Sequence, residues 1–214
     1  MHLSKYVLSF IFLFSGVCSN AQLYYGIKGT YSLPFTRSQE IKYDDAKDFL
    51  TYKVRFIEQD VSPMISGFLY YRNDIMYLQG ELGYREVKTR FSSIDYVNFD
   101  NEIPIESVKK TRYLHIPLTA GIRFNNFKFG AGPVFSYILQ QNEIFKEIPN
   151  FEERRRKMES GFAFNFGIVL YRLHLDLSYE YQFAGVGEYL YYRLDSKGFK
   201  NQAQFINLGL GLVF

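Results

Sequence analysis

The last residues of the chain alternate without a break. Leu208, Leu210, Leu212 and Phe214 share one parity, and Asn207, Gly209, Gly211 and Val213 share the other. A strict two-residue period is a β-strand with different surroundings on its two faces. Seven further segments carry the same signature, and outside the connections no 3.6-residue period competes with it. Such a chain must pair strands edge to edge and give every apolar face somewhere to go. The candidate strands are 22–33, 61–71, 75–87, 112–124, 127–139, 161–171, 173–183 and 203–214. The clearest sets Leu173, Leu175, Leu177, Tyr179, Tyr181 and Phe183 against His174, Asp176, Ser178, Glu180 and Gln182.

The connections alternate as well. Short turns fall at Arg72-Asn73-Asp74, Asn125-Asn126 and Tyr171-Arg172. The first two supply Asn or Asp where a hairpin needs a left-handed backbone. The remaining connections, 34–60, 88–111, 140–160 and 184–202, are long. All long connections therefore leave one end, the pattern of outer-membrane barrels with short periplasmic turns and long extracellular loops. Strands of about 10–12 residues, tilted by roughly 40°, cover an apolar band about 25 Å tall. The expected fold is all-β, an eight-stranded antiparallel up-and-down transmembrane β-barrel. A ring of that size is just filled by its own side chains.

The N-terminus reads as a secretory signal peptide over residues 1–21, with the barrel domain at 22–214. Lys5 gives the positive start, the apolar run from Val7 to Val17 follows, and Ser19-Asn20-Ala21 places the cut before Gln22. A lipoprotein reading of Cys18 is disfavoured by the bulk of Val17. Cleavage before Gln22 would remove the only cysteine, leaving no disulfide, thiolate nucleophile or cysteine metal site. A formal net charge of +3, with no basic stripe interleaved with aromatics, argues against nucleic acid as a partner. The mean hydropathy of −0.17 looks soluble but carries no weight, since barrel strands show lipid only every second residue.

Alternation alone does not say which face is wet. A lipocalin-like barrel, serving as a soluble periplasmic ligand carrier, would show the same period with its apolar face inward. Three features favour the opposite orientation. Lys28, Glu81, Arg85, Asp176 and Glu180 recur in mid-strand on the polar face, as a lumen polar network would. Glycines such as Gly26, Gly83, Gly121, Gly130, Gly132, Gly167, Gly209 and Gly211 share that face, and they leave room for long neighbours. Aromatics (Tyr71, Tyr84, Phe124, Phe127, Tyr181, Phe183, Phe214) gather near strand ends, as interfacial girdles require.

Several segments carry a family likeness: Leu78-Gln79-Gly80-Glu81-Leu82-Gly83-Tyr84, Tyr113-Leu114-His115-Ile116-Pro117-Leu118, Phe129-Gly130-Ala131-Gly132-Pro133, the Leu208 to Phe214 terminus and the Ala21-Gln22 junction. Over the whole mature chain they resemble the Bacteroidota outer-membrane β-barrel family that includes the PorT-like proteins. The resemblance implies a place in the cell outer membrane. For the PorT branch it implies work with the type IX secretion and gliding machinery. It also implies that the barrel-assembly machinery reads Leu208, Leu210, Leu212 and Phe214 as an assembly signal.

Candidate chemistry is sparse. His174, Asp176, Ser178 and Glu180 are successive inward positions on one strand, and such neighbours stand about 6.5–7 Å apart. That spacing is too wide for a ready-made relay, so a lumen network in which Lys28 and Arg85 pair with Glu81 and Glu180 is the expected arrangement. His115 and His174 fall at opposite strand heights, which speaks against a two-histidine metal site. Asp44-Asp45 and Glu152-Glu153 lack calcium-loop spacing. Arg154-Arg155-Arg156-Lys157 reads as a solvated loop face, with the phosphates of lipopolysaccharide or an acidic partner as its functional alternative.

The sequence therefore predicts an integral outer-membrane barrel with no catalytic, cofactor-binding or metal residues and no cofactor. Its expected partners are outer-membrane lipid and lipopolysaccharide, the barrel-assembly machinery and other secretion-complex proteins. The alternatives are a small barrel enzyme modifying envelope lipids and the soluble carrier.

Overall fold

The computed structural model describes residues 22–44, 50–95, 104–142, 144, 151–153, 157–185, 190–192, 195–197 and 202–214. The strands are β1 (Gln22–Pro34), β2 (Gln39–Asp44), β3 (Leu50–Gln59), β4 (Ser62–Arg72), β5 (Met76–Asp95), β6 (Ile105–Phe124), β7 (Phe127–Gln141), β8 (Phe151–Glu153), β9 (Met158–Leu170), β10 (Leu173–Gly185), β11 (Leu190–Tyr192), β12 (Asp195–Lys197) and β13 (Gln202–Val213). Eight of them close a ring in the order β1-β4-β5-β6-β7-β9-β10-β13, every pairing antiparallel. The seam joins the first strand to the last, with Gly26 opposite Val213 and Pro34 opposite Phe205. Closure leaves no membrane-depth edge unpaired, which is the condition for a sheet to cross hydrocarbon.

The face assignment follows the alternation. Ile65 is 75% exposed, Phe164 59% and Leu210 57%, while Lys28, Glu81, Arg85, Asp176 and Glu180 are all buried. Leucines and phenylalanines thus cover the outside, and these charged side chains of the wall strands turn inward. The soluble-carrier alternative fails here, because its apolar side chains would have to line the cavity. At the turn end, the Tyr25 and Phe214 rings meet at a tilt of 32°, 6.0 Å apart across the seam.

Local chemistry explains the tight turns. The Asn73 side-chain oxygen accepts from the backbone N–H of Ile75 (3.1 Å) and Met76 (2.6 Å), forming an Asx turn. Phe124 pairs with Phe127 and Leu170 with Leu173, so two residues close each of the other hairpins. Asn125 takes φ 53° and Tyr171 φ 55°. Asparagine tolerates that backbone readily, whereas a tyrosine does so at some cost.

The first long connection differs from the expected loop. It contains β2 and β3, and β3 pairs with the outer part of β5 from Tyr52 opposite Asp95 to Gln59 opposite Thr89. β5 and β6 each run 20 residues. At about 3.3 Å per residue and a tilt near 40°, such a strand rises about 50 Å, twice the height of the apolar band. Outside the membrane the wall therefore continues as a projecting sheet in the order β2-β3-β5-β6. Its inner face packs Phe56 edge-on to Phe91 (6.0 Å) and buries Ile41 and Val54. Its outer face carries ion pairs, Arg90 to Glu58 (3.1 Å) and Lys53 to Glu40 (3.0 Å). β8, β11 and β12 make a separate three-stranded sheet within the later long connections.

Candidate functional site in the barrel lumen

The inward side chains stack in three storeys. Nearest the short turns, Phe68, Tyr70, Tyr77 and Val213 form an aromatic plug, with Tyr24 packed against it. His174 stacks on Phe68 (5.5 Å) and meets the Tyr70 ring edge-on (5.1 Å). Gly26 makes the plug possible, since a Cβ there would stand 2.5 Å from Cζ of Phe68.

The middle storey holds two lysines and two carboxylates. Lys28 pairs with Glu81 and lies 3.6 Å from Asp176, and Lys128 lies 2.8 Å from Asp176. Lys128 also donates to Gln79 (2.9 Å), which donates to Glu81 (2.8 Å). Lys128 on β7 and Asp176 on β10 are separated by β9, where Gly167 is in register with both. A Cβ on Gly167 would stand 2.3 Å from Lys128 Cε and 2.5 Å from Asp176 Oδ1. Gly209 has the same place under the Lys28–Asp176 contact, 3.2 Å from Lys28 Cδ and 3.4 Å from Asp176 Cβ. The inward glycines are thus gaps through which charged side chains reach over an intervening strand.

The upper storey centres on Glu180. Its carboxylate lies 3.4 Å from Arg85, accepts from Asn207 (3.2 Å) and Gln182 (3.1 Å), and stands 3.5 Å from His115 Nε2. Arg85 also donates to Ser62 (3.2 Å) and lies over the Phe205 ring at 3.9 Å. Lys28 with Lys128 balances Glu81 with Asp176, and Arg85 balances Glu180. Charges removed from water persist where they are matched, and the middle and upper storeys are each charge-matched by themselves.

The structure places all five expected network residues inside, but in two groups. Lys28, Glu81 and Asp176 belong to the middle storey, Arg85 and Glu180 to the upper one. It does not bring His174, Asp176, Ser178 and Glu180 together. His174 is in the aromatic plug, Asp176 among lysines, and Ser178 accepts from Asn207 (3.3 Å). Sequence reasoning left out Lys128, because its alignment with Asp176 comes through the register of β9 with both strands and not from the spacing of either residue from its turn. It also left out a contact between strands: His115 Nδ1 lies 2.9 Å from Ser136 Oγ, with Glu180 on the other ring nitrogen. Serine, histidine and a carboxylate in series are the residue types of acyl-transfer relays. Here Ser136 and His115 are each 3% exposed and Glu180 1%, facing the lumen rather than lipid. Among the described residues, no three of His, Cys, Asp or Glu converge on a metal position.

Leu208, Leu210 and Leu212 face outward on β13, and the Phe214 N–H donates to Tyr25 O (2.8 Å). The signal-peptide reading of residues 1–21 falls outside the described residues, as do Asp45 and Arg154 to Arg156.

A closed antiparallel ring with an apolar exterior, a polar filled interior and short turns at one end defines an integral β-barrel of the cell outer membrane. No family model and no curated protein matches the chain. Among solved structures it is similar to the Yersinia pestis outer membrane protein Ail, with 17% identity, 87% of this chain and 99% of that one covered, and a TM-score of 0.35. It is similar also to Neisserial surface protein A, with 12% identity, 92% and 100% covered, and a TM-score of 0.31. The outer membrane protease OmpT from Escherichia coli shares 14% identity over 91% of this chain and 96% of its own, with a TM-score of 0.40.

Proposed function

We propose that this protein is a non-catalytic outer-membrane component that binds a partner through its extracellular extension. The observation that carries this reading is the projecting β2-β3-β5-β6 sheet, whose outermost strand β2 ends the sheet order. A strand edge held well above the bilayer offers backbone donors and acceptors to an extended segment of another chain. Lys42 and Glu40 on that edge restrain indiscriminate pairing. The charge-matched lumen supports a structural rather than a conducting interior. The likeness to PorT-like sequences supports a partner in the type IX secretion and gliding machinery, and the Arg154 to Lys157 run supports contact with lipopolysaccharide.

A photo-crosslinking amino acid at Lys42 in native cells tests this. A discrete protein adduct is expected, together with loss of type IX export or gliding when residues 39–59 are replaced by a short linker. Normal export and motility, with only lipopolysaccharide adducts, would refute it.

The Ser136–His115–Glu180 series favours a second reading, an acyl-transfer enzyme acting on envelope lipids. Covalent labelling of Ser136 by a fluorophosphonate in the folded barrel, abolished by His115→Ala, would establish that reading in place of the first.

A further inference from the structure

The turn end of the lumen is recessed rather than flush. A cavity of about 350 Å3 opens below the aromatic plug, walled by Tyr24, Tyr70, Val169 and Val213, with His174 inside it and Arg72 and Arg172 at its rim. Arg72 donates to Gln22 Oε1 (3.0 Å) and Tyr24 (2.8 Å), and its guanidinium lies 4.8 Å from the Tyr24 ring centre. Arg172 lies 5.5 Å from the Tyr171 ring centre. Arg123, nearby on β6, donates to the backbone oxygen of Asn125 (2.7 Å) and acts electrostatically on both Tyr70 and His174.

Two independent observations mark this recess. Lys28, Lys128 and Arg85 each have a carboxylate partner. Among the described residues no ion pair joins Arg72, Arg123 or Arg172 to a carboxylate, and Arg72 and Arg172 line the recess; Asp74 is the one acidic side chain in the same set of turns. The second is His174: it is 2% exposed, and among the described residues its Nδ1 has no hydrogen-bond partner. Buried polar atoms are almost always satisfied. His174 thus brings one unpartnered polar atom to a cavity with cations at its rim.

We propose that the periplasmic mouth binds a small organic carboxylate. Its charged end would lie among Arg72, Arg123 and Arg172, within reach of His174, and its apolar body against Tyr70, Val169 and Val213. Guanidinium groups match carboxylate geometry, and aliphatic and aromatic walls favour an anion with a hydrocarbon body over a bare inorganic one. The volume sits near the lower end of small-ligand pockets. The proposal is independent of the extracellular partner, since it concerns the opposite end of the barrel.

The test uses the full chain in zwitterionic nanodiscs, reading the His174 side-chain nitrogens by NMR during titration with 3-phenylpropionate, 3-phenylpropionamide and inorganic phosphate. A saturable His174 shift is expected with the carboxylate, with binding at least about tenfold weaker for the uncharged amide. Arg172→Gln, in an exposed turn, should weaken carboxylate binding several-fold while the barrel's heat-modifiable migration stays unchanged, and Arg72→Gln should act in the same direction. Equal binding of acid and amide, no saturable shift, or unaltered affinity in both variants would overturn the proposal. Phosphate binding as well as phenylpropionate would overturn its organic part.

Discussion

Lys128 and Asp176 form an ion pair 2.8 Å long although their strands do not touch, because the pair closes over Gly167, the residue in register with both. Lys128 is wholly enclosed, so nothing in solvent substitutes for its partner. Lys128→Met should therefore destabilise by about 3–5 kcal/mol, as the loss of one member of a buried pair does. The double variant Lys128→Met, Asp176→Leu should recover part of the loss. Urea unfolding in lipid vesicles measures both, and a double variant worse than the sum of the singles would contradict the arrangement.

Gly167→Ala puts a methyl group into the space the ion pair crosses, with an expected loss of about 1–3 kcal/mol for overpacking. Gly29→Ala is the control. It lies on the lipid face with nothing within 4 Å of its would-be Cβ, so no loss of stability is expected. The same unfolding assay separates the two.

Leu177 faces lipid and Ser178 faces the lumen. Leu177→Arg should cost about 2–4 kcal/mol near mid-membrane and reduce insertion. Ser178→Arg should be limited instead by the packing around Asn207. Equal assembly of both variants, judged by heat-modifiable migration, would invert the face assignment.

On the extracellular hairpin, the hydrogen bond from Lys53, aided by the charges of Lys53, Lys42 and Arg55, holds the Glu40 carboxyl below the usual carboxylate range. A depressed value stabilises the folded hairpin above the unfolded pKa of about 4.3. That contribution is lost as pH falls through the lower folded value. Acidification below about pH 4 should loosen β2 from β3. Lys53→Met should return the Glu40 titration toward the ordinary value, read from its carboxyl carbon by NMR.

Phe214 joins the closing seam through its N–H to Tyr25 O and its ring against the Tyr25 ring. If the terminal strand is read during assembly, Phe214→Ala should slow insertion in cells by more than it lowers equilibrium stability in vesicles. Equal effects in the two settings would reduce its role to packing.

The eight wall strands were legible because lipid and lumen impose opposite demands on alternate residues, as Leu173 to Phe183 shows. The hairpin of β2 and β3 was not, because above the bilayer the outer face is charged. Glu40, Lys42, Lys53 and Arg55 there make the segment look like a loop, even though Ile41, Val54 and Phe56 alternate beneath them. The polar residues of the lumen were readable as a set, but their partners were not. Alternation gives the face of a residue, whereas the pairing of Lys128 with Asp176 depends on relative strand heights and on the absent side chain of Gly167. The left-handed backbone of Asn125 followed from its side chain; that of Tyr171 had no such signal.

The unbroken run of β5 and β6 from the membrane into the projecting sheet has a mechanical corollary. A partner pulling on β2 along the strand direction would load the rungs of the β3–β5 ladder in parallel, so the tether would yield all at once instead of rung by rung. Tension applied outside the cell would then reach the barrel wall without passing through any slack connection.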